Sequence, residues 1–301
     1  MSLTFSVPGK TFLAGEYLAL SGGPTLVFAS EPRFQLKVKP GTGQVEGIHP
    51  DSPAGLYIKK SDYFQKFDLS FVEAYDGRGG FGASTAQFLA AYALNTWRDS
   101  AWLEPQQLID YKFLLDCYFQ VAWNGQGQRP SGADVIGQLK GSLTLFEKSL
   151  GRVSQLSWSF DDLDFVLVHT GNKVATHEHL KTLKPFENSF LRTAFSEIHR
   201  GLESGTSEVF VKGVNHYADA LAQLQFTCAP SLDLLKKIKK IPGVVATKGC
   251  GALGADVLFV VAKKDAMSGV KAALAALNLN MQIDRSAMSH GLDVQVLGSS
   301  I

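Results

Sequence analysis

The most constraining stretch of the chain is a glycine-rich run, Gly77-Arg-Gly-Gly-Phe-Gly82. It leads directly into Ala83 to Trp97, dense in Ala, Leu, Phe and Gln, with neither glycine nor proline. Such text reads as a buried helix introduced by a loop. The glycines let backbone approach an anion closely, and a helix start offers unsatisfied N–H groups and the positive end of a dipole. The same text also suits a tight turn into a core helix. Taken alone, the segment leaves both readings open.

Composition narrows the choice of ligand. The formal net charge is +1, so no global basic field is present to hold a nucleic acid or an anionic membrane. Any bound anion must be held locally. The run Lys236 to Lys240 reads as the solvated end of a helix. With 45% hydrophobic and 19% charged residues, the chain can fill a sizeable core. Cys117, Cys228 and Cys250 have neither metal-site spacing nor a disulfide framework. No apolar run reaches the roughly 18 residues a membrane helix needs, and Met1 to Lys10 is unlike a signal peptide. A cytoplasmic protein acting on small molecules is expected, with no nucleic acid or membrane partner; a homodimer is left open.

Leu3 to Val7 reads as a strand broken by Pro8-Gly9. Thr25 to Ala29 and Phe34 to Val38 read as two more, and residues 40 to 60 as turns with short hairpin strands. Pro105 opens a second helix, continuing from Gln106 to Val121. Leu143 to Phe146 returns to strand. The second half reads as strand Phe165 to Val168, helices Phe186 to Leu202, Val209 to Phe226 and Ser231 to Ile238, strands Val244 to Thr247 and Val257 to Val261, a helix Ala266 to Leu277, and a last strand or two. Gly151 to Leu163 suits a boundary, giving domains 1–155 and 156–301. The pattern is α+β.

Three further segments could carry chemistry. Gly9-Lys10-Thr11 resembles the end of a P-loop, but that motif needs a glycine five residues before Gly9, where Thr4 stands. A lysine set by the Pro8-Gly9 turn could still reach a phosphate. Lys248 to Asp256 (KGCGALGAD) lies between two apolar strands; its glycines suit either a closely approached backbone or a generous hairpin. Arg129-Pro-Ser-Gly-Ala-Asp134 places an acid after a turn, as a cap or a catalytic carboxylate. His177-Glu-His179 lacks metal-site spacing, and Cys250 reads as a small buried residue.

In order along the chain, these segments resemble the three motifs of the GHMP kinases, the superfamily of galactokinase, homoserine kinase, mevalonate kinase and phosphomevalonate kinase. Pro8 to Tyr17 resembles the first, Gly80-Phe-Gly-Ala-Ser-Thr85 the second, and Gly251-Ala-Leu-Gly-Ala-Asp256 the third. The resemblance implies an N-terminal domain like ribosomal protein S5 domain 2 and a ferredoxin-like C-terminal domain. It implies ATP and Mg²⁺ as cofactors, with Gly80, Gly82, Ala83, Ser84 and Thr85 cradling nucleotide phosphates and Ser84 helping to hold the metal. It makes Lys10 and Asp134 catalytic and gives the acceptor pocket to Glu16, Tyr17, Ser131, Gly132, Lys173, Gly251 and Ala252. Departures are Ala83 for a serine, and Leu253 and Ala255 for glycines.

Among members, Gly15-Glu-Tyr17 and Ser131-Gly-Ala-Asp-Val135 look most like phosphomevalonate kinases. Mevalonate kinases usually have His where Tyr17 stands, and a Mg²⁺-binding Glu before the catalytic Asp; Trp123 to Gln128 has no acid. A phosphate acceptor, with a second pKa of about 6 by analogy with phosphoserine, is already largely ionised at neutral pH. It needs cations to gather two anionic groups more than it needs a base. Lys10, Arg78, Arg129 and Lys173 lie in or beside the motifs. Mevalonate kinase is the runner-up, and a non-catalytic ligand sensor of the same fold is the alternative from another class.

Overall fold

The computed structural model describes residues 2–97, 109–171, 183 and 185–297. Strand β1 (Ser2–Ala14) does not break at Pro8-Gly9. Instead the register shifts there: Pro8 faces Arg33 and Gly9 faces Ser30. The two residues skipped, Glu31 and Pro32, lie on β2, so the irregularity is taken up by the partner strand. The two strands expected over 25–38 are one, β2 (Pro24–Pro40), carried through the cis Glu31–Pro32 bond. Residues 40 to 60 hold only a two-residue strand, β3 (Val45–Glu46), then a helix, α1 (Pro53–Lys59). Ser52 caps this helix by accepting from the N–H of Gly55, and Pro53 occupies its first turn. That is a helix-start signature that the turn-rich reading overlooked.

Strand β4 (Phe67–Val72) precedes the glycine loop, and α2 (Ala83–Trp97) follows it with the expected bounds. Helix α3 (Tyr111–Ala122) is capped by Asp110, which accepts from Lys112 and Phe113 N–H groups. The helix start assigned to Pro105 lies outside the described residues. Helix α4 (Ala133–Lys140) carries Asp134 in its first turn, and β5 (Leu143–Glu147) and β6 (Arg152–Leu156) form a hairpin. Strand β7 (Leu163–His169) precedes α5 (Ser189–Ser204), α6 (Ser207–Gln223) and α7 (Ala229–Ile238). Strands β8 (Val244–Cys250) and β9 (Val257–Lys263), helix α8 (Met267–Ala276), β10 (Gln282–Asp284) and β11 (Asp293–Leu297) complete the chain.

The first sheet runs β11-β1-β2-β4-β3, and β5 pairs with the other half of β2 and with β6. Its last member, β11, comes from the far end of the chain and pairs antiparallel with β1. The second sheet runs β10-β7-β9-β8, all antiparallel. That order, with the crossings made through α7 and α8, is the ferredoxin-like arrangement.

Strand alternation explains the packing. Val166, Val168, Leu258 and Val260 face Leu235 and Ile238 of α7 and Val270 and Leu274 of α8. Phe165, Leu167, Phe259 and Val261 face the opposite way and join the main core. There the rings of Phe28 and Phe165 meet edge-on at 5.1 Å, joining the two sheets. Helix α2 is buried along nearly its whole length, which explains its alanines: only small side chains admit it so deeply. Among the described residues, no helix is long and apolar enough to cross a membrane.

Candidate functional site

The glycine loop and β1 are fastened together. The N–H of Lys10 donates to the carbonyl of Phe81 at 2.9 Å. Gly82 has φ +86°, and a Cβ there would lie 2.8 Å from Cγ and 2.9 Å from Cε of Lys10. The stem of Lys10 therefore lies across the loop, in space that a side chain at position 82 would fill. Gly80, at φ +90°, would place a Cβ 2.8 Å from that of Asp256. The third motif thus closes on the second from the other side. Gly9 is required for a different reason: Tyr75 lies over it, its hydroxyl 1.9 Å from where a Cβ would stand. Tyr75 also stacks on Phe81 at 4.3 Å.

Helix α2 opens directly from this loop, and Ala86 makes the first bond back, to Gly82 at 2.9 Å. Helical geometry leaves the N–H groups of Ala83, Ser84 and Thr85 without an intrahelical acceptor. Ser84 is exposed, whereas Thr85 is buried. The Thr85 hydroxyl donates to Oε1 of Gln138 at 2.6 Å and lies 3.0 Å from the Gly82 carbonyl. Of its polar groups, only its backbone N–H is left to face a phosphate.

Gln138 is the residue that sequence reasoning missed. It is fully buried, and its Nε2 donates to Pro8 O at 2.9 Å and to Gly82 O at 3.1 Å. One side chain thereby joins the first motif, the second motif and α4. Asp134 lies four residues earlier on the same helix face, so this face of α4 turns toward β1 and the loop. The signal available was a lone glutamine inside the apolar text Val135-Ile-Gly-Gln-Leu139. The turn before it is tight: Gly132 has φ +78°, and a Cβ there would lie 2.3 Å from Leu115. Ser131 Oγ accepts from the N–H of Ala133 at 3.2 Å, and Asp134 Oδ1 from that of Val135 at 3.2 Å.

Glu16 and Lys248 form a buried ion pair at 2.9 Å, their side chains 5% and 0% exposed. Lys248 also lies 3.7 Å from Cys250 Sγ and 5.6 Å from the ring centre of Tyr217, whose hydroxyl accepts from Gly15 N–H at 3.0 Å. Burial works against the ammonium, but the facing Glu16 carboxylate outweighs it and pushes the Lys248 pKa up. Burial pushes the Cys250 thiol up to about 11, so it stays protonated and is not a nucleophile. Glu16 is thus engaged with protein. Tyr17 is stacked on Phe226 at 4.0 Å, and its hydroxyl accepts from the N–H of Leu253 at 3.0 Å.

Leu253 holds φ +54°, the conformation for which the resembled motif uses glycine, at a cost of about 1–2 kcal/mol. Ala255, at φ −87°, carries no such strain. Gly251 keeps φ +74°, and a Cβ there would meet nothing within 4 Å, while Ala252 begins the short turn that follows.

At the end of β7 the N–H of Thr170 donates to Asp256 O at 2.9 Å, and His169 packs on Phe81 at 5.8 Å between ring centres. Burial lowers the His169 pKa, and Arg78 adds to this against the opposing effect of Asp256. Lys173, His177 and His179 lie outside the described residues. Among the described residues, no three His, Cys, Asp or Glu side chains group to hold a metal.

No family model matches the chain, and no curated protein matches it in sequence. Solved structures do. Streptococcus pneumoniae phosphomevalonate kinase in complex with phosphomevalonate and AMPPNP superposes with a TM-score of 0.76 at 18% identity, over 93% of this chain and 99% of that one. L. major mevalonate kinase in complex with R-mevalonate gives 0.67 at 18% identity, over 93% and 94%. Lactococcus lactis galactokinase complexed with galactose gives 0.71 at 12% identity, over 97% and 94%. The chain has the two-domain fold shared by these GHMP kinases.

Proposed function

We propose that this chain is an ATP-dependent small-molecule kinase that phosphorylates phosphomevalonate to diphosphomevalonate. The observation that carries the kinase reading is the seat of Lys10. Its backbone is bound to the glycine loop and its stem lies across Gly82, beside the uncapped start of α2. A cation and a set of free N–H groups on one side of a loop suit a transferring phosphoryl group.

The fit to a nucleotide rests on this chain's own geometry. Gly80 and Gly82 let Asp256 and the stem of Lys10 pack directly against the loop, and at its end the N–H groups of Ala83, Ser84 and Thr85 have no intrahelical acceptor. Mg²⁺ suits the exposed Ser84 hydroxyl. It is bound through phosphates, waters and one or two protein groups rather than by an all-protein cage, and it supplies neutralisation of phosphate charge. Lys10 is assigned to bridge acceptor and phosphoryl group, and Asp134 to orient Lys10 or the acceptor. Gln138 holds the loop, β1 and α4 at fixed spacing. Tyr17, Ser131, Gly132, Lys173, Gly251 and Ala252 are assigned to the acceptor side, with Glu16 supporting it through Lys248. Domains of 1–155 and 156–301 and a cytoplasmic location belong to the same reading.

Phosphomevalonate is preferred on motif likeness and on the cations near the Asp134 turn. A coupled ADP-release assay with Mg-ATP, comparing phosphomevalonate, mevalonate, galactose and homoserine, tests it. Turnover with phosphomevalonate alone is expected. Turnover with mevalonate instead overturns the acceptor, and nucleotide binding without turnover on any of the four favours a sensor.

A further inference from the structure

Phe119 of α3 carries two cations on its ring. Lys148 Nζ lies 4.0 Å from the ring centre and the Arg129 guanidinium 4.7 Å. Each contact is mildly favourable, but together they hold two like charges close to one another. Among the described residues neither cation makes an ion pair. Asp116 is the acid that favours the Lys148 ammonium, without reaching ion-pair distance. Burial and the charge of Arg129 together lower the Lys148 pKa. A gathering of unpaired cations is unfavourable until an anion joins them.

Space for an anion is present. Arg129 and Lys148 line a cavity of about 510 Å³, together with Ser21, Ser131 and Ser149. That is within the range of about 300–1,000 Å³ usual for small-molecule sites. The cavity adjoins the turn that carries Asp134: a Cβ on Gly132 would lie 3.3 Å from the tip of Phe119. A second cavity beside Tyr17 shares its walls at Leu20, Ser21 and Gln128.

We propose that Arg129 and Lys148 form an anion subsite that takes a second anionic group of the acceptor, a carboxylate or phosphate remote from the reacting atom. This rests on the kinase reading above. It makes the pair a specificity determinant, since an acceptor without the remote anion leaves both cations uncompensated.

Two measurements on the full chain separate this inference from the reading beneath it. In steady state, Arg129→Gln and Lys148→Gln are each expected to raise the KM for the acceptor tenfold or more, the loss typical of a charged hydrogen bond. The KM for Mg-ATP stays in place, and Arg129→Lys restores part of the loss, which a merely structural role would not produce. Normal acceptor KM in both variants, with turnover intact, overturns the subsite and leaves the kinase reading standing. The second measurement needs no turnover. Inorganic phosphate is titrated against tryptophan fluorescence, since the Arg129 guanidinium lies 5.9 Å from the Trp123 ring. A saturable signal abolished by Arg129→Gln supports the anion site even if every acceptor tested is inert. A phosphate signal without any acceptor KM effect reassigns the site to a free anion and overturns its role in acceptor choice. The absence of both signals overturns the site altogether.

Discussion

Lys248 Nζ meets Glu16 Oε1 at 2.9 Å in an almost completely sealed environment. One partner lies just after the first strand, and the other lies on a strand of the second sheet. Removing one charge strands the other. Lys248→Met is therefore expected to destabilise the protein by about 3–5 kcal/mol, read as a lower midpoint in urea unfolding. Combining it with Glu16→Gln removes the stranded charge and recovers more than half of the loss. Equal damage in the single and double variants would contradict this coupling.

Lys10 and Asp134 are expected to separate in kinetics. A phosphate acceptor is already ionised, so Asp134→Asn removes orientation rather than an indispensable base. Lys10→Met removes charge from the transferring group and should cost about 10²–10³ in kcat. With phosphomevalonate, the Asp134 variant is expected to be the milder of the two. Near-normal turnover in both excludes the assigned roles.

Gln138→Leu takes the side-chain donor from the Pro8 carbonyl, whereas the Gly82 carbonyl keeps the Ala86 N–H and the Thr85 hydroxyl can still donate to it. A cost of about 1–3 kcal/mol is expected for the group left unsatisfied. Thermal unfolding gives the stability change, and nucleotide titration shows whether the loop has moved. Gln138→Glu keeps the acceptor for Thr85 but sets a buried carboxylate oxygen against the Pro8 and Gly82 carbonyls, so it should cost at least as much as Gln138→Leu at neutral pH.

Gly82→Ala adds a methyl group against the Lys10 stem at a position with φ +86°. Backbone strain alone is about 1–2 kcal/mol. Because the stem is flexible, Lys10 yields and the fold survives. The expected result is a modest loss of stability with a larger loss of ATP affinity by calorimetry. Gly125→Ala, where a Cβ would meet nothing within 4 Å, is the control for strain without contact.

His169 sets a pH dependence. Its folded pKa lies below the ordinary 6.5, chiefly because burial disfavours the imidazolium. Between the folded and unfolded values the unfolded state binds more protons, so stability rises with pH. The stabilisation is present above about pH 6.5 and is lost as pH falls through the lower, folded value. Denaturation midpoints from pH 5 to 7.5 should show this slope in wild type and a flatter one in His169→Gln.

Local patterns made much of the fold legible. The glycine loop and α2 could be read because helix periodicity, missing breakers and small side chains agreed. The motif glycines were legible as points of special backbone, where φ angles or close neighbours require glycine. Long-range partners were not. Tyr75 over Gly9 and Tyr217 against Gly15 are contacts across 66 and 202 positions, and no local text announces them. Pro8-Gly9 suggested a break, but β1 runs on because β2 bulges opposite, with Glu31 and Pro32 as its excess residues. Glu16 was read as facing the acceptor, since nothing local indicates that Lys248 arrives from another sheet to bind it.

Strand β1, which carries Lys10, has β2 on one side and β11 on the other, with Ser2 paired to Leu297. During synthesis β1 therefore precedes β11 by nearly the whole described span, and one of its edges stays open until residues 293–297 follow. Contacts of such span slow folding, and an unpaired edge meanwhile invites the wrong strand. The sheet that carries the glycine loop is thus completed only when β11 joins it, and holding residues 293–297 back should trap a state with an open β1 edge.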